Sequence, residues 1–359
     1  MLRTMNASRA ARALLLLFFL LGLPAASCGQ SALGLMPGVV NNTGNLSLRR
    51  AVLAWAQQQI CSEVQKSSVP LRLHPEDDPA MGRFFPNSCQ TQQLQNGNLQ
   101  VTLGGYGYAW TNLTRRLGFE ASATVEYEQD FLMDGGAMYV YFRQRSTTAT
   151  TFNTRLIEKP ATLAVGGFSL SPGSAMANSF GAQLLSSEIA RGFTVVRESD
   201  STVSFGLGLI EKGVRPPTPY ERGDSKRRIL ANESSEIHQE QRDYVGPLEV
   251  TGNGQALGIT VHVDGAASVD VLIVPRGPAD PWLQGYTTQA ATTPPPTPPL
   301  LAESVPAGAI WRRTVALPRG YYYLVLDNTS TAGPTAPSGH AHDDRAALVR
   351  YAVQLGDAP

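Results

Sequence analysis

Short alternating runs of β-branched and aromatic residues recur along most of this chain, and each is closed by Gly, Pro, Asn or Asp. Successive side chains of a strand point to opposite faces, so a period of two marks half-buried strands. Residues 99–103, 121–127 and 137–143 read this way, as do 248–252, 256–263, 268–274, 309–317, 321–327 and 346–355. Two stretches carry a helical period instead. In 46–66, Leu48, Val52, Trp55, Ala56 and Ile60 fall on one arc at about 100° per residue, a face expected to pack on the domain that follows. In 174–191, Ser174 stands as a cap, Phe180, Leu184, Leu185 and Ile189 form an apolar side, and Gly192 marks the stop. The expected fold class is α+β: a mixed N-terminal α/β domain followed by an antiparallel β-sandwich.

The chain has 359 residues, 42% of them hydrophobic and only 16% charged, which suits two packed cores and excludes a disordered charged polymer. Lys+Arg and Asp+Glu both number 29, so no basic field points to nucleic acid as a partner. The division expected is a signal segment 1–27, a tether 28–45, an α+β domain 46–214, a linker 215–244 and a sandwich 245–357. The linker is argued from Pro216-Pro217, Pro219 and the basic run Lys226-Arg227-Arg228. Pro70, Pro75, Pro79 and Pro86 make 67–97 loop-like. Gly105-Tyr106-Gly107-Tyr108 lacks the Lys-Ser/Thr of a phosphate loop and reads as a turn or bulge with aromatic packing. The Thr/Pro-rich stretch 287–304 reads as an extended solvent loop, because proline cannot donate to a ladder. Ser146, Phe152 and Leu156-Ile157-Glu158-Lys159 recur 53 residues later as Ser199, Phe205 and Leu209-Ile210-Glu211-Lys212, the pattern of a repeated hairpin unit.

At the N-terminus, Arg3, Arg9 and Arg12 precede an apolar run from Ala13 to Leu23. Such a run spans about 16 Å as a helix against roughly 30 Å of hydrocarbon, so it reads as a signal peptide and not a span. Pro24-Ala25-Ala26-Ser27-Cys28 resembles a bacterial lipobox. That resemblance implies cleavage before Cys28, its lipidation, and, with Gly29 following, an outer-membrane destination facing either the periplasm or the exterior. The membrane would then be contacted through the N-terminal lipid. Three cysteines are present, and lipidation of Cys28 leaves Cys61 and Cys89 as a natural disulfide pair in an oxidising compartment. A plain secretory signal is the alternative.

Two weaker resemblances bear on the fold. The order strand (162–170), helix (to Arg191) and strand (193–196) resembles the module of envelope lipoproteins related to the curli secretion channel and to the N-terminal domain of the Tol translocation protein. It implies a fold and assigns no functional residue. Leu317-Pro318-Arg319-Gly320-Tyr321-Tyr322-Tyr323-Leu324-Val325-Leu326-Asp327-Asn328 resembles the late hairpin of jelly-roll-like modules that follow secreted peptidases or belong to the Golgi-dynamics type. Those modules serve binding or assembly.

No catalytic residue, metal ligand or cofactor is expected from the sequence. His-Glu-x-x-His, Gly-x-Ser-x-Gly and a Walker loop do not occur in the sequence. His340-Ala341-His342-Asp343-Asp344 is the nearest approach to a metal cluster, placed in a Pro/Gly/Ser-rich loop. In 321–323, Tyr322 shares a face with Leu324 and Leu326 and is expected in the core. Tyr321 and Tyr323 then point outward, as a second layer or as a candidate contact surface. The expected function is a lipid-anchored envelope protein that binds a protein or glycan, leaning away from enzymology. The alternatives are an exported hydrolase with a non-local His/carboxylate site and a secreted glycoprotein, the latter on sequons such as Asn232 and Asn328.

Overall fold

The computed structural model describes residues 41–42, 44–73, 79–112, 114–134, 137–159, 163–165, 168–170, 173–197, 203–207, 228–334 and 346–358. The N-terminal half is a seven-stranded antiparallel sheet. It is built from β1 (Val69–Leu71), β2 (Gly82–Gln93), β3 (Leu99–Thr111), β4 (Arg115–Asp134), β5 (Ala137–Ile157), β8 (Phe193–Arg197) and β9 (Val203–Leu207), in the order β1-β2-β3-β4-β5-β8-β9. The two-residue period decides its faces. Leu99, Val101, Phe119, Ala121, Ala123, Val125, Tyr127 and Phe131 all lie on one side and are buried. Helix α1 (Leu46–Val64) lays Val52, Ala56, Ile60 and Val64 on that side, one residue per turn. Helix α2 (Gly173–Ala190) adds Leu185 and Ile189. Gly181 of α2 sits over the Phe152 ring, and a Cβ there would run into it. Cys61 of α1 is disulfide-bonded to Cys89 of β2, with Cα atoms 5.3 Å apart, so the helix is stapled to the sheet.

Three expectations for this half need correction. Residues 67–97 are not a loop, since β1 and β2 occupy much of that stretch. The prolines misled because their ladder positions are tolerant ones. Pro70 sits on edge strand β1, and Pro86 lies at a bulge where the register shifts before Ser88. Gly105 and Gly107 are not in a turn but in the middle of β3, and the bulge is on its partner β2. A Cβ at Gly107 would meet the Arg83 carbonyl and the Phe119 ring, so close approach explains the glycine. The strand–helix–strand order also exists, but not as a crossover. Strands β6 (Leu163–Val165) and β7 (Phe168–Leu170) pair antiparallel with each other, apart from the large sheet, while β8 pairs antiparallel with β5. The second copy of the expected repeat falls mostly outside the described residues.

The C-terminal half is an eight-stranded sandwich of β10 (Arg228–Ile237), β11 (Gln241–Val250), β12 (Gln255–Asp264), β13 (Ser268–Pro275), β14 (Leu301–Pro306), β15 (Ile310–Ala316), β16 (Gly320–Asn328) and β17 (Ala347–Asp357). Its sheets run β10-β17-β12-β15 and β11-β16-β13-β14. The last two strands return between early ones, β17 between β10 and β12 and β16 between β11 and β13, which is the strand order of a jelly roll. Its core is aliphatic, with Val250, Leu257, Val261, Val271, Leu324, Val349 and Val353 all buried. The expected linker was drawn too long, because 228–244 already belong to β10 and β11. The stretch 287–304 is likewise shorter as a loop, since β14 begins at Leu301.

A third helix, α3 (Arg276–Thr288), is not among the expected elements, although its apolar residues keep a helical spacing. Pro278 and Pro281 argue against it on propensity. It forms because Ala279, Trp282, Leu283, Tyr286 and Thr287 make one buried stripe, and burial outweighs one lost backbone bond.

Candidate functional site at the seam between the halves

The tyrosine run of β16 leads directly to the seam. Tyr322 is buried in the sandwich core with Leu324 and Leu326, as the period requires. Tyr323 points the other way but is only 2% exposed. Its hydroxyl donates to Asp280 Oδ1 at 3.0 Å, beneath α3. Of the two roles open to Tyr323, second layer and contact surface, the structure gives the second layer, because helix α3 covers it. Tyr321 is half-buried, donates to Glu249 at 3.1 Å, and lies 5.7 Å from the Arg276 guanidinium.

The second layer is aromatic. Phe85 and Tyr108 of the N-terminal sheet meet Tyr244, Tyr323, Trp282 and Tyr286 of the other half in one cluster. Tyr108 and Tyr286 meet edge to face at 5.0 Å, and Tyr244 and Trp282 at 5.2 Å. At Gly118 the β4 backbone approaches α3 so closely that a Cβ would collide with the Thr287 carbonyl.

Two buried charged networks flank this cluster. Arg83 reaches from β2 into the sandwich and donates to Asp243 through Nε (2.6 Å) and Nη2 (3.0 Å). It also donates to Glu233 (2.8 Å) and to the Tyr351 hydroxyl. Tyr108 and Ser235 complete the shell of Asp243, at 2.7 and 2.6 Å. Burial pushes the Glu233 carboxyl up, but Arg83 and then Arg72 override it and hold the group below its ordinary range. In the second network Arg242 lies 2.9 Å from Asp327 and also donates to Thr329, Thr331 and the Thr293 carbonyl. Burial raises the Asp327 carboxyl to about 7, against the opposing pull of Arg242 and Thr329. Trp282 Nε1 also donates to the Thr293 carbonyl, while Arg116 holds the carbonyls of Gln289 and Ala290. The Thr/Pro-rich loop is thus tied down at its start.

Between the networks lies a small cavity, lined by Trp110, Arg116, Glu236, Gln241, Arg242 and Tyr286 among others. Its volume of about 10 Å³ holds one water-sized particle. At its rim His238 Nε2 lies 2.7 Å from Glu236 Oε1, and the imidazole stacks on Trp110 at 3.3 Å. A histidine–carboxylate pair is the arrangement a hydrolase would need. Here it joins neighbours two residues apart beside a cavity too small for an ester or peptide. His262 lies 3.3 Å from Asp264, which Arg350 holds at 2.7 Å, on a part-exposed face. His340, His342, Asp343 and Asp344 lie outside the described residues, as does Cys28. Among the described residues no group of three His, Cys, Asp or Glu is placed to hold a metal. Asn328, one of the sequons, is buried, and its amide faces the Ile237 carbonyl at 3.4 Å.

The N-terminal sheet continues past the seam as a polar platform that the sequence reading missed. Register places Ser88, Gly104, Ser122 and Thr151 in one row across four strands, Gln90, Thr102 and Thr124 in a second, and Gln92, Gln100, Glu126 and Ser146 in a third. Their side chains are exposed or half-buried. Thr102 bonds Thr124 at 3.1 Å, and Ser122 bonds Thr151 at 2.7 Å. The Ser, Thr and Gln alternation was the available signal.

The architecture defines a class rather than a family: a helix-backed antiparallel sheet fused to a jelly roll through a buried seam. No protein-family model matches the chain, and no curated protein matches it. Among solved structures, the infectious bursal disease virus Gt strain aligns over 81% of this chain and 69% of its own, at 11% identity and a TM-score of 0.19. A Bombyx mori GH32 beta-fructofuranosidase aligns over 79% and 67%, at 12% identity and a TM-score of 0.12. Scores this low carry no argument, and the jelly-roll assignment rests on strand order alone.

Proposed function

We propose that this chain is an exported cell-envelope protein, tethered to the outer membrane by a lipid on Cys28, that holds a protein or glycan partner and does no bond chemistry. The observation that carries the export reading is the Cys61–Cys89 cross-link, since such bonds persist in oxidising compartments. Lipidation rests on the resemblance of Ala25-Ala26-Ser27-Cys28 to a lipobox. The platform supports the binding reading. Its rows offer paired hydroxyls and amides, which can donate and accept toward sugar hydroxyls or a peptide edge. The tether is compatible with either membrane face. The first described residue, Asn41, is held to the fold, its side chain exchanging two 2.9 Å hydrogen bonds with the Met133 backbone. The thirteen steps from Cys28 to Asn41 reach at most about 45 Å.

Membrane fractionation of native and Cys28→Ala protein tests the anchor. The native protein is expected in the membrane fraction, with a lipid-sized mass excess on a chain beginning at Cys28, and the variant in the soluble fraction. Tight membrane association of the variant would defeat the reading.

A further inference from the structure

A sheet edge leaves backbone donors and acceptors without strand partners, and proteins blunt such edges with prolines, charges, bulges or brevity. The strand edges described in this chain follow that rule with one exception. Strand β1 is three residues long and contains Pro70, and β9 has five residues. Strand β15 carries Arg312 and Arg313, and Arg313 reaches Glu303 of β14 at 2.7 Å, so both edges on that side of the sandwich are charged. Strand β10 exchanges two 2.8 Å backbone hydrogen bonds with Ala80. Strand β11 is bulged between Val245 and Leu248 and is mostly buried. On β5, strand β8 covers only 138–142, and beyond it the register skips Arg145, Thr148 and Arg155, three bulges along one edge.

The exception is the outer half of β2. Strand β1 pairs with 82–84 alone, and among the described residues no strand lies beyond 87–93. From Ser88 to Gln93 the register with β3 runs without a shift, so this edge is regular. All of 87–93 except Cys89 is exposed, and its sequence, Asn-Ser-Cys-Gln-Thr-Gln-Gln, carries no charge. Helix α1 meets the stretch near its start, through Cys61–Cys89 and the Gln65 donor to the Asn87 carbonyl at 3.2 Å. The edge fits its own copy. A charged strand finds no counter-charge along it, whereas an identical neutral strand meets no repulsion. Two copies related by a two-fold axis normal to the sheet pair antiparallel and keep each face continuous. Full overlap of 87–93 centres on Gln90, setting Gln90 opposite its counterpart and Gln92 opposite Ser88, pairs that can both donate and accept.

We propose that residues 87–93 of β2 form a self-association edge, through which two copies of this chain join their N-terminal sheets into one continuous antiparallel sheet. The assembly closes at the dimer, because a two-fold contact uses the same edge on both copies and leaves none for a third. It also sets the two polar platforms side by side as one face, since Ser88, Gln90 and Gln92 begin the platform rows. A ladder this short buries less than a standard interface, so the association is weak and depends on concentration. The inference does not rest on the lipid anchor.

Sedimentation equilibrium of the exported chain, with its lipid left off by Cys28→Ala, tests this up to ~1 mM chain. A monomer–dimer equilibrium is expected, with nothing larger. The double variant Gln90→Lys, Gln92→Lys brings like charges together across the two-fold axis. It is expected to weaken dimerisation about tenfold or more while leaving the melting temperature of the dilute chain unchanged. Hydrogen exchange gives a second reading: amides within 88–93 are expected to slow as concentration rises, and not to do so in the variant. A chain that stays monomeric at the highest concentration, a dimer that the variant leaves intact, or assembly beyond the dimer would each overturn the proposal.

Discussion

Asp327 shows how one buried side chain sets a pH dependence opposite to the usual one. Its carboxyl keeps its proton up to about 7, whereas its ordinary value is 3.8. Burial penalises the charged form more than Arg242 and Thr329 favour it. The folded chain therefore binds this proton more tightly than the unfolded chain. The resulting stability is complete below the ordinary value and is lost as pH rises toward 7. Glu233 has the other sign, because Arg83 and Arg72 hold it low; its contribution stands at neutral pH and is lost as pH falls through its depressed value. Asp327→Asn should therefore gain melting temperature relative to the native chain between pH 4 and 7, then level off. A native chain that gains on the variant across that interval would show that the seam prefers the carboxylate. Gly118 is a steric counterpart. Gly118→Ala forces a methyl against the Thr287 carbonyl and should cost roughly 1–3 kcal/mol in chemical denaturation, like other overpacked sites. A cost near zero would mean that α3 shifts freely.

Among the elements, α1 and α3 illustrate two ways a helix is secured. The amphipathic face of α1 is visible in its own sequence, and the same residues, Val52, Ala56 and Ile60, are buried on the sheet. The disulfide adds a cross-link spanning 28 residues, which in the chain-entropy model stabilises by about 3–4 kcal/mol. Cys61→Ser should lower the melting temperature in oxidising buffer and should match the native chain under reductant. An unchanged transition would show that α1 is held by packing alone. Helix α3 has no side-chain cap and carries Pro281 inside, although its apolar residues keep a helical spacing. Its stripe acquires meaning only when Tyr108, Tyr244 and Tyr323 are present to receive it. That is why the same tyrosine run places Tyr322 in the core outright but leaves Tyr323 open between second layer and contact surface. Period two states that neighbours face opposite ways, but not whether the outer side is covered.

For the whole molecule, the question is whether the halves fold as one. Arg83 places a charge from the N-terminal sheet among Asp243, Glu233 and Tyr351 of the jelly roll, all away from solvent or nearly so. Removing one partner of such a buried pair typically costs about 3–5 kcal/mol, because the remaining charges stay desolvated. Arg83→Met should lose about that much. Calorimetry of the native chain should show a single transition, and two resolved transitions would mean that the seam couples the halves weakly. Most strand runs from 99 onward, though not β9, β10 or β14, the packed face of α1, the cysteine pair and the sandwich character were legible in the residues. Each is a local or periodic property, and hydrophobic alternation survives in any context. The jelly-roll strand order, the covering of Tyr323, the edge and bulge that tolerate Pro70 and Pro86, and the grouping of Trp110 with Arg116 were not. They depend on which strands pair and which sheet face meets another, which no local period states, and some of those contacts join residues far apart in the chain, such as Arg83 with Asp243. Composition and period decided that this chain would form sheets; only the packing of one sheet on the other decided where its charges, its cavity and its open face would be.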